Sequence, residues 1–261
     1  MLSMKDDALP ARKGHLLALF VLGGALLAWG AVSALRLYPE SSLPGPAAVC
    51  RGFWEEARSG RLLNDLIASL FRVGTGFALA TAVGIPFGLW MGSRAAVRAA
   101  WLPAVNFFRS LSPIAWIPFA ILWFGIGDPP VIFLIFMSTF FTLTLAVTAA
   151  VAGVPGVYFR VAQENGIRGR ELLLRVKLPA VMPPVITALR VTAGVAWVVV
   201  VAAEMIAGRD GLGFAIMDAR NGLRPDLVVV GMITIGVIGV VLDRLLVRLA
   251  DLPSVRWGHE R

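Results

Sequence analysis

Residues 154–179 read VPGVYFRVAQENGIRGRELLLRVKLP. The stretch carries Arg160, Arg168, Arg170, Arg175 and Lys177, and it lies between two long apolar segments, 129–152 and 181–207. Its composition is not that of a linker. It lacks Ser/Gly repeats, and Glu171 to Arg175 are good helix formers. Val161, Ala162, Leu172 and Leu173 give it an apolar side, and Gly166 and Gly169 permit a turn or a close backbone approach. Pro179 is expected to stop this helix, and Pro183 and Pro184 to set the start of the apolar segment that follows. A structured, basic, half-apolar loop suits docking to a partner protein. The same charges also suit an anchor on anionic headgroups, and the segment alone leaves both readings open.

Working outward, the chain has 261 residues, of which 58% are hydrophobic and 15% charged. Soluble domains are about half apolar and about a quarter charged, so this is the composition of a membrane protein. A bilayer core of about 30 Å needs about 20 mainly apolar helical residues. Six windows qualify: 15–35, 66–92, 99–124, 129–152, 181–207 and 227–249. The sequence thus predicts an all-α, polytopic membrane protein. Residues 1–14 and 253–261 form tails around one transmembrane domain, 15–252, whose largest internal loop is 153–180. The third window is the weakest, being interrupted by Pro103, Arg109, Pro113 and Pro118. In the first, Ala31–Ala34 resembles a signal-peptidase site, but the apolar run exceeds the 7–15 residues of a signal peptide, so it reads as an uncleaved span.

Orientation follows the Lys and Arg of the loops. With both termini in the cytoplasm, the inner segments hold twice as many basic residues as the outer ones. The outer arginines lie among Glu40, Glu55, Glu56, Asp65, Asp210, Asp218 and Asp226, which points to structured outer loops at 38–66 and 208–226. The net charge of +8 sits between apolar spans, so lipid and topology account for it and no nucleic-acid partner is expected. One cysteine, Cys50, and histidines only at positions 15 and 259 leave no basis for a disulfide or a metal site.

Five residues are candidates for a transport pathway or gate. Arg109 and Ser112 lie beside Pro113, where freed carbonyls are tolerated if they line a cavity. Arg109 either faces an interior or reaches for headgroups. Trp116 and Trp197 lie deeper than the interfacial tryptophans, with packing as the alternative. Glu204 is the single carboxylate well inside the fifth window. It is expected to pair with Arg209 or Arg72, with a gate as the alternative, while Arg72 and Arg190 read as snorkelling side chains. In the second window Gly76, Ala80, Gly84, Gly88 and Gly92 repeat every four residues. That stripe suits close helix packing within the chain, or contact with a second copy.

The loop resembles the cytoplasmic motif of the membrane subunits of ATP-binding cassette importers: Glu-Ala-Ala, three residues, Gly, nine residues, Ile, one residue, Leu-Pro. Ala162, Gly166, Val176, Leu178 and Pro179 fall on that frame, whereas Arg160 stands in place of the Glu and Val161 in place of the first Ala. Three further blocks, 69–92, 107–128 and 202–219, are similar to permeases for nitrate, aliphatic sulfonates and taurine. The resemblance implies a type I importer permease fold in a bacterial inner membrane, working as a dimer with a second permease copy. It further implies two ATP-binding subunits that hold ATP and Mg, and an external substrate-binding protein. It assigns coupling to the ATPase to Ala162, Gly166, Arg168, Leu178 and Pro179. The lysines, Lys5, Lys13 and Lys177, follow Met4, Arg12 and Val176, so the chain lacks the Gly-Lys-Ser/Thr of a phosphate-binding loop and hydrolysis is expected in other subunits. Two other classes compete. An ion-driven secondary transporter would carry several intramembrane ionisable groups, and a membrane-embedded enzyme would converge His, Asp or Cys near one membrane surface.

Overall fold

The structure is a computed structural model that describes residues 11–250. The expected tail 253–261 and residues 1–10 lie outside them. Among the described residues every regular element is helical. Helix α1 (Ala11–Ala34) leads by a short turn to α2 (Pro46–Ser59), an amphipathic helix opened by proline in its first turn. Gly60 lies between α2 and α3 (Arg61–Ser93), the longest helix. Helix α4 (Ala95–Ser110), a 3-10 turn (Pro113–Trp116) and α5 (Ile117–Phe124) follow, and then α6 (Asp128–Ala152). The basic loop contains α7 (Gly156–Glu164), α8 (Gly169–Leu172) and a π turn (Leu173–Lys177) that runs into α9 (Leu178–Ala207). Helix α10 (Leu212–Asn221) and α11 (Pro225–Ala250) complete the chain.

Four helices are long and apolar enough to cross a membrane: α3, α6, the segment Leu174–Ala207 and the segment Pro225–Arg248. A fifth crossing requires α4 and the segment Pro113–Phe124 to act together, and these are bent by 86°. Among the described residues the six expected windows correspond to these four helices, the broken pair and α1. The remaining expected span falls on α1 (Ala11–Ala34), whose described apolar stretch is Phe20–Ala34. The break in the third window has a local cause. Leu111 and Ser112 take extended backbone ahead of Pro113, the conformation that a following proline imposes.

The centre of the fold is α3 laid along α6, with α9 on the other flank of α6. One face of α3 explains the contact. Gly76, Ala80, Gly84 and Gly88 are all buried, and a Cβ at position 88 would come within 2.7 Å of Val147 and 2.8 Å of the Thr144 carbonyl. The absent side chains let Thr144 donate its hydroxyl to the Gly84 carbonyl at 3.5 Å and bring the Thr148 hydroxyl, which donates to the Thr144 carbonyl at 2.7 Å, within 3.3 Å of the Gly88 carbonyl. The small-residue stripe is thus consumed inside the chain. Val131, Leu134 and Ile135 of α6 and Ala196, Val200 and Ala203 of α9 form the apolar core beside it.

Pro179 does not end the loop helix. It occupies the first turn of α9, where its missing N–H has no helical partner to lose, and the π turn carries the chain into it. Pro183 and Pro184 lie inside α9 rather than before it.

Candidate functional site

The bundle has two dissimilar ends. The loop end carries residues 153–177 and the Arg94 turn; the far end carries residues 125–127 and 208–224. At the loop end, α7 closes by a local hydrogen-bond pattern. The Ile167 N–H donates to the Ala162 carbonyl at 2.9 Å and the Gly166 N–H to the Gln163 carbonyl at 3.0 Å. This is a Schellman closure, which places its penultimate residue in left-handed backbone. Gly166 has φ +75° with open space around its Cα, so backbone conformation, not crowding, selects glycine there. Ala162 is buried at the closure, while Val157, Tyr158 and Val161 on the same helix stand about half exposed. Together with Ile167, Val176 and Pro179 they line a groove of about 830 Å3.

Arg168 and Arg160 are exposed, Leu178 is half-buried and Pro179 is exposed. Lys177 is turned inward, donating to Ser93 Oγ at 3.3 Å and lying 5.6 Å from the Phe159 ring centre. It ties the loop to the end of α3. Arg175 pairs with Glu171 at 2.9 Å along the same turn. Arg175 and Lys177 are thus engaged with neighbouring residues.

At the far end Glu204 is fully buried and Arg72 is 1% exposed. Arg72 Nη1 donates to Glu204 Oε1 at 2.8 Å and to the Asp210 carbonyl at 2.8 Å; its Nε donates to Asp128 Oδ1 at 2.7 Å, and Nη2 pairs with the carboxylates of Asp128 and Asp210. Nε, both hydrogens of Nη1 and one of Nη2 are thereby hydrogen-bonded, and Nη2 makes a further ion-pair contact with Asp128. Ser69 Oγ lies 2.8–2.9 Å from both Glu204 oxygens, donates to that carboxylate, and accepts the Leu212 N–H at 2.9 Å. The Gly213 N–H donates to Glu204 at 3.0 Å, and Asp65 accepts the Gly211 N–H at 2.9 Å. Buried carboxylates thus cap α10 and dock it on α3 and α9. Gly211, at φ +100°, is required twice over, because a Cβ there would fall on the Glu204 carboxylate.

The expected partner of Glu204 is thus Arg72 and not Arg209, which is exposed. The reading of Arg72 as a snorkelling side chain is overturned, since three carboxylates hold it inside the bundle. Arg190 does reach an exposed site, where it meets Asp243 at 2.9 Å. Sequence reading missed Ser69, Asp128 and Asp210 as members of this network, and it read Asp65 only as an outer-loop charge. The usable signal was spacing: Asp65, Ser69 and Arg72 continue the Gly76–Gly88 face of α3, so polar residues on a packing stripe had to find partners on α6 or α9.

The remaining pathway candidates separate. Trp197 is 7% exposed and its indole donates to the Ile235 carbonyl at 3.2 Å, joining α9 to α11 inside the core. Trp116 is half-buried among Phe108, Phe119, Trp123 and Phe133. Ser112 is exposed, and its carbonyl accepts the Ala115 N–H at 3.0 Å to start the 3-10 turn. Arg109, exposed in the last turn of α4, lines a groove of about 650 Å3 against α6 with Arg98, Asn106 and Thr142. Among the described residues no cluster of His, Cys, Asp and Glu is suited to hold a metal ion.

These features can be set beside known proteins. An ABC transporter permease protein of Methanocaldococcus jannaschii is 42% identical over 194 residues, covering 74% of this chain and 73% of that protein. The taurine transport system permease protein of Escherichia coli is 33% identical over 243 residues, covering 90% and 87%. Inward-facing MetNI methionine ABC transporter has a chain that superposes with a TM-score of 0.59 at 19% identity, covering 73% of this chain and 97% of that one, which shows a shared fold. Residues 84–252 match the family described as binding-protein-dependent transport system inner membrane component. A helical bundle with a capped basic loop at one end, the two sequence relatives and that match lead to one conclusion: the chain belongs to the binding-protein-dependent transport inner-membrane family, the permease subunits of ABC importers.

Proposed function

We propose that this permease imports a small anion by alternating access, as one of two permease copies above two ATP-binding subunits. The loop end faces the cytoplasm, as do both termini, and the far end receives an external binding protein. The observation that carries the reading is the Gly166-closed α7. It holds Val157, Tyr158 and Val161 outward as an apolar face beside the exposed Arg168, the kind of surface that a cleft in a partner protein would cover. Ala162, Gly166, Leu178 and Pro179 fix that face relative to α6 and α9, so movement of the partner passes to the bundle. ATP and Mg are held by the partner subunits and supply the energy there. Only differential contacts between the two states can drive the cycle.

Relatives named for taurine, aliphatic sulfonates and nitrate favour an anionic headgroup in the cargo. Glu204 is enclosed by a guanidinium and two further donors, the Ser69 hydroxyl and the Gly213 N–H, which disfavours it as the ion carrier of a gradient-driven transporter. Purification of the full chain with its partners should yield a vanadate-sensitive ATPase. Replacing Gly166→Gln and Leu178→Gln together should abolish that activity while the permease still reaches the membrane, and an unchanged rate in the double variant would end the coupling assignment.

A further inference from the structure

Two arginines of α4 differ from the paired cations of the bundle. Arg72 has three carboxylates around it and Arg190 has Asp243. Among the described residues neither Arg98 nor Arg109 has a carboxylate within ion-pair reach. Arg98, Leu102, Asn106 and Arg109 follow one another at intervals of four, four and three residues, so they share one face of α4. All four line the same groove.

We propose that this groove is an anion site on the transport route, with Arg98 at its mouth, Arg109 at its inner end and the Asn106 amide between them. Its ligand class is a small oxyanion or sulfonate. The proposal rests on the importer reading above and gives it specific cargo-contacting residues.

From the first residue of α4 at the loop end, Arg109 lies about 21 Å along the helix, well into a hydrocarbon core of about 30 Å. A guanidinium at that depth is costly unless it faces protein or water. The rest of α4 presents Trp101 and Phe107 to the exterior, as a lipid-facing surface does, and the charged residues share the groove face. The opposite wall adds no competing acid: the part of α6 that lines the groove offers Thr142, Leu145, Ala146, Thr148, Ala149 and Ala152. Thr142 and Thr148 donate their hydroxyls to the carbonyls of Ser138 and Thr144, at 3.1 and 2.7 Å. The free donors are therefore the two guanidinium groups and the Asn106 amide, a set that attracts anions and repels cations. Arg98 and Arg109 are about 16 Å apart along the axis, too far to clamp one small ion. They make two stations in a groove of about 650 Å3, an arrangement that admits an ion without trapping it.

Charged thiol reagents test this directly. In membrane vesicles carrying the full transporter without nucleotide, Cys50→Ser removes the native thiol and Asn106→Cys places one in the groove. Modification rates by a sulfonate-bearing and a trimethylammonium-bearing methanethiosulfonate are each divided by their rate with a free thiol in solution. The anionic reagent should be favoured about tenfold, from one guanidinium a helical turn away. Arg109→Gln should bring the ratio close to one and Arg109→Lys should restore it. Arg98→Gln, about 12 Å distant along the helix, should lower it less. Failure of both reagents to react would place position 106 against lipid and overturn the site. Equal normalised rates, or a preference indifferent to Arg109→Gln, would overturn it as well. The measurement requires no ATP turnover, so its failure with coupled ATPase intact sinks the groove alone. Loss of coupling with the charge preference intact sinks the importer mechanism alone.

Discussion

The two ends of the bundle are held by opposite means. At the far end a charge network, with Arg72 and Glu204 buried and Asp128 and Asp210 reaching the surface, fastens α3, α6, α9 and the loop into α10. At the loop end the fastening is mostly apolar contact and local hydrogen bonds around Gly166, with one tether from Lys177 to Ser93. A buried ion network tolerates little change, because a partner removed leaves a charge in low dielectric. Local closures and half-exposed apolar faces can move as bodies. The difference is what the proposed coupling at the loop end requires.

The largest break in that contrast should come from Glu204→Leu. It leaves part of the Arg72 guanidinium and the Gly213 N–H without an acceptor, and it should lower unfolding stability in detergent by about 3–5 kcal/mol. Thermal unfolding followed by tryptophan fluorescence would show it, and a shift no larger than that of a surface substitution would contradict the rigid-end reading. Next comes Gly88→Ala, in the loop-end part of the contact between α3 and α6. The added Cβ meets Val147 and a backbone carbonyl that cannot rotate away, so a loss of about 1–3 kcal/mol is expected. The same change at Gly74, whose Cβ position is open, should be near neutral, which makes the pair a test of stripe packing on α6. The smallest effect should be Arg224→Gln. Arg224 bridges Asp226 and Glu55 at 2.8–3.0 Å, and its pKa is raised further first by the hydrogen bond to Asp226 and then by that to Glu55. The group is 46% exposed, and exposed pairs contribute about 0–1 kcal/mol. A large loss there would mean that the far end depends on its surface as much as on its interior.

Much of this was legible in the chain. The apolar windows located the long helices because a membrane core demands length and apolarity together. The four-residue stripe identified a packing face on α3. The spacing from Ala162 through Gly166 to Leu178-Pro179 identified the loop. What escaped was connected to partners distant in sequence. Asp210 read as a loop acid, Asp128 was not singled out, and Arg72 read as a snorkelling side chain, because nothing local to Arg72 reveals partners 56 and 138 positions away. The proline rule also failed at Pro179, where a π turn delivered the chain into α9 without a break.

Sequence by itself determined that the chain is helical, that it suits a bilayer, and that its 154–179 loop is a structured module, since periodicity, apolar length and glycine backbone freedom are local properties. Tertiary structure alone decided which charges are spent and which are free. Arg72 is buried and fully paired, Arg98 and Arg109 face a groove without a counter-ion, and Trp197 is a packing residue. Those outcomes depend on how α3, α4, α6 and α9 are set against one another, and the environment of a charge is a property of its neighbours in space.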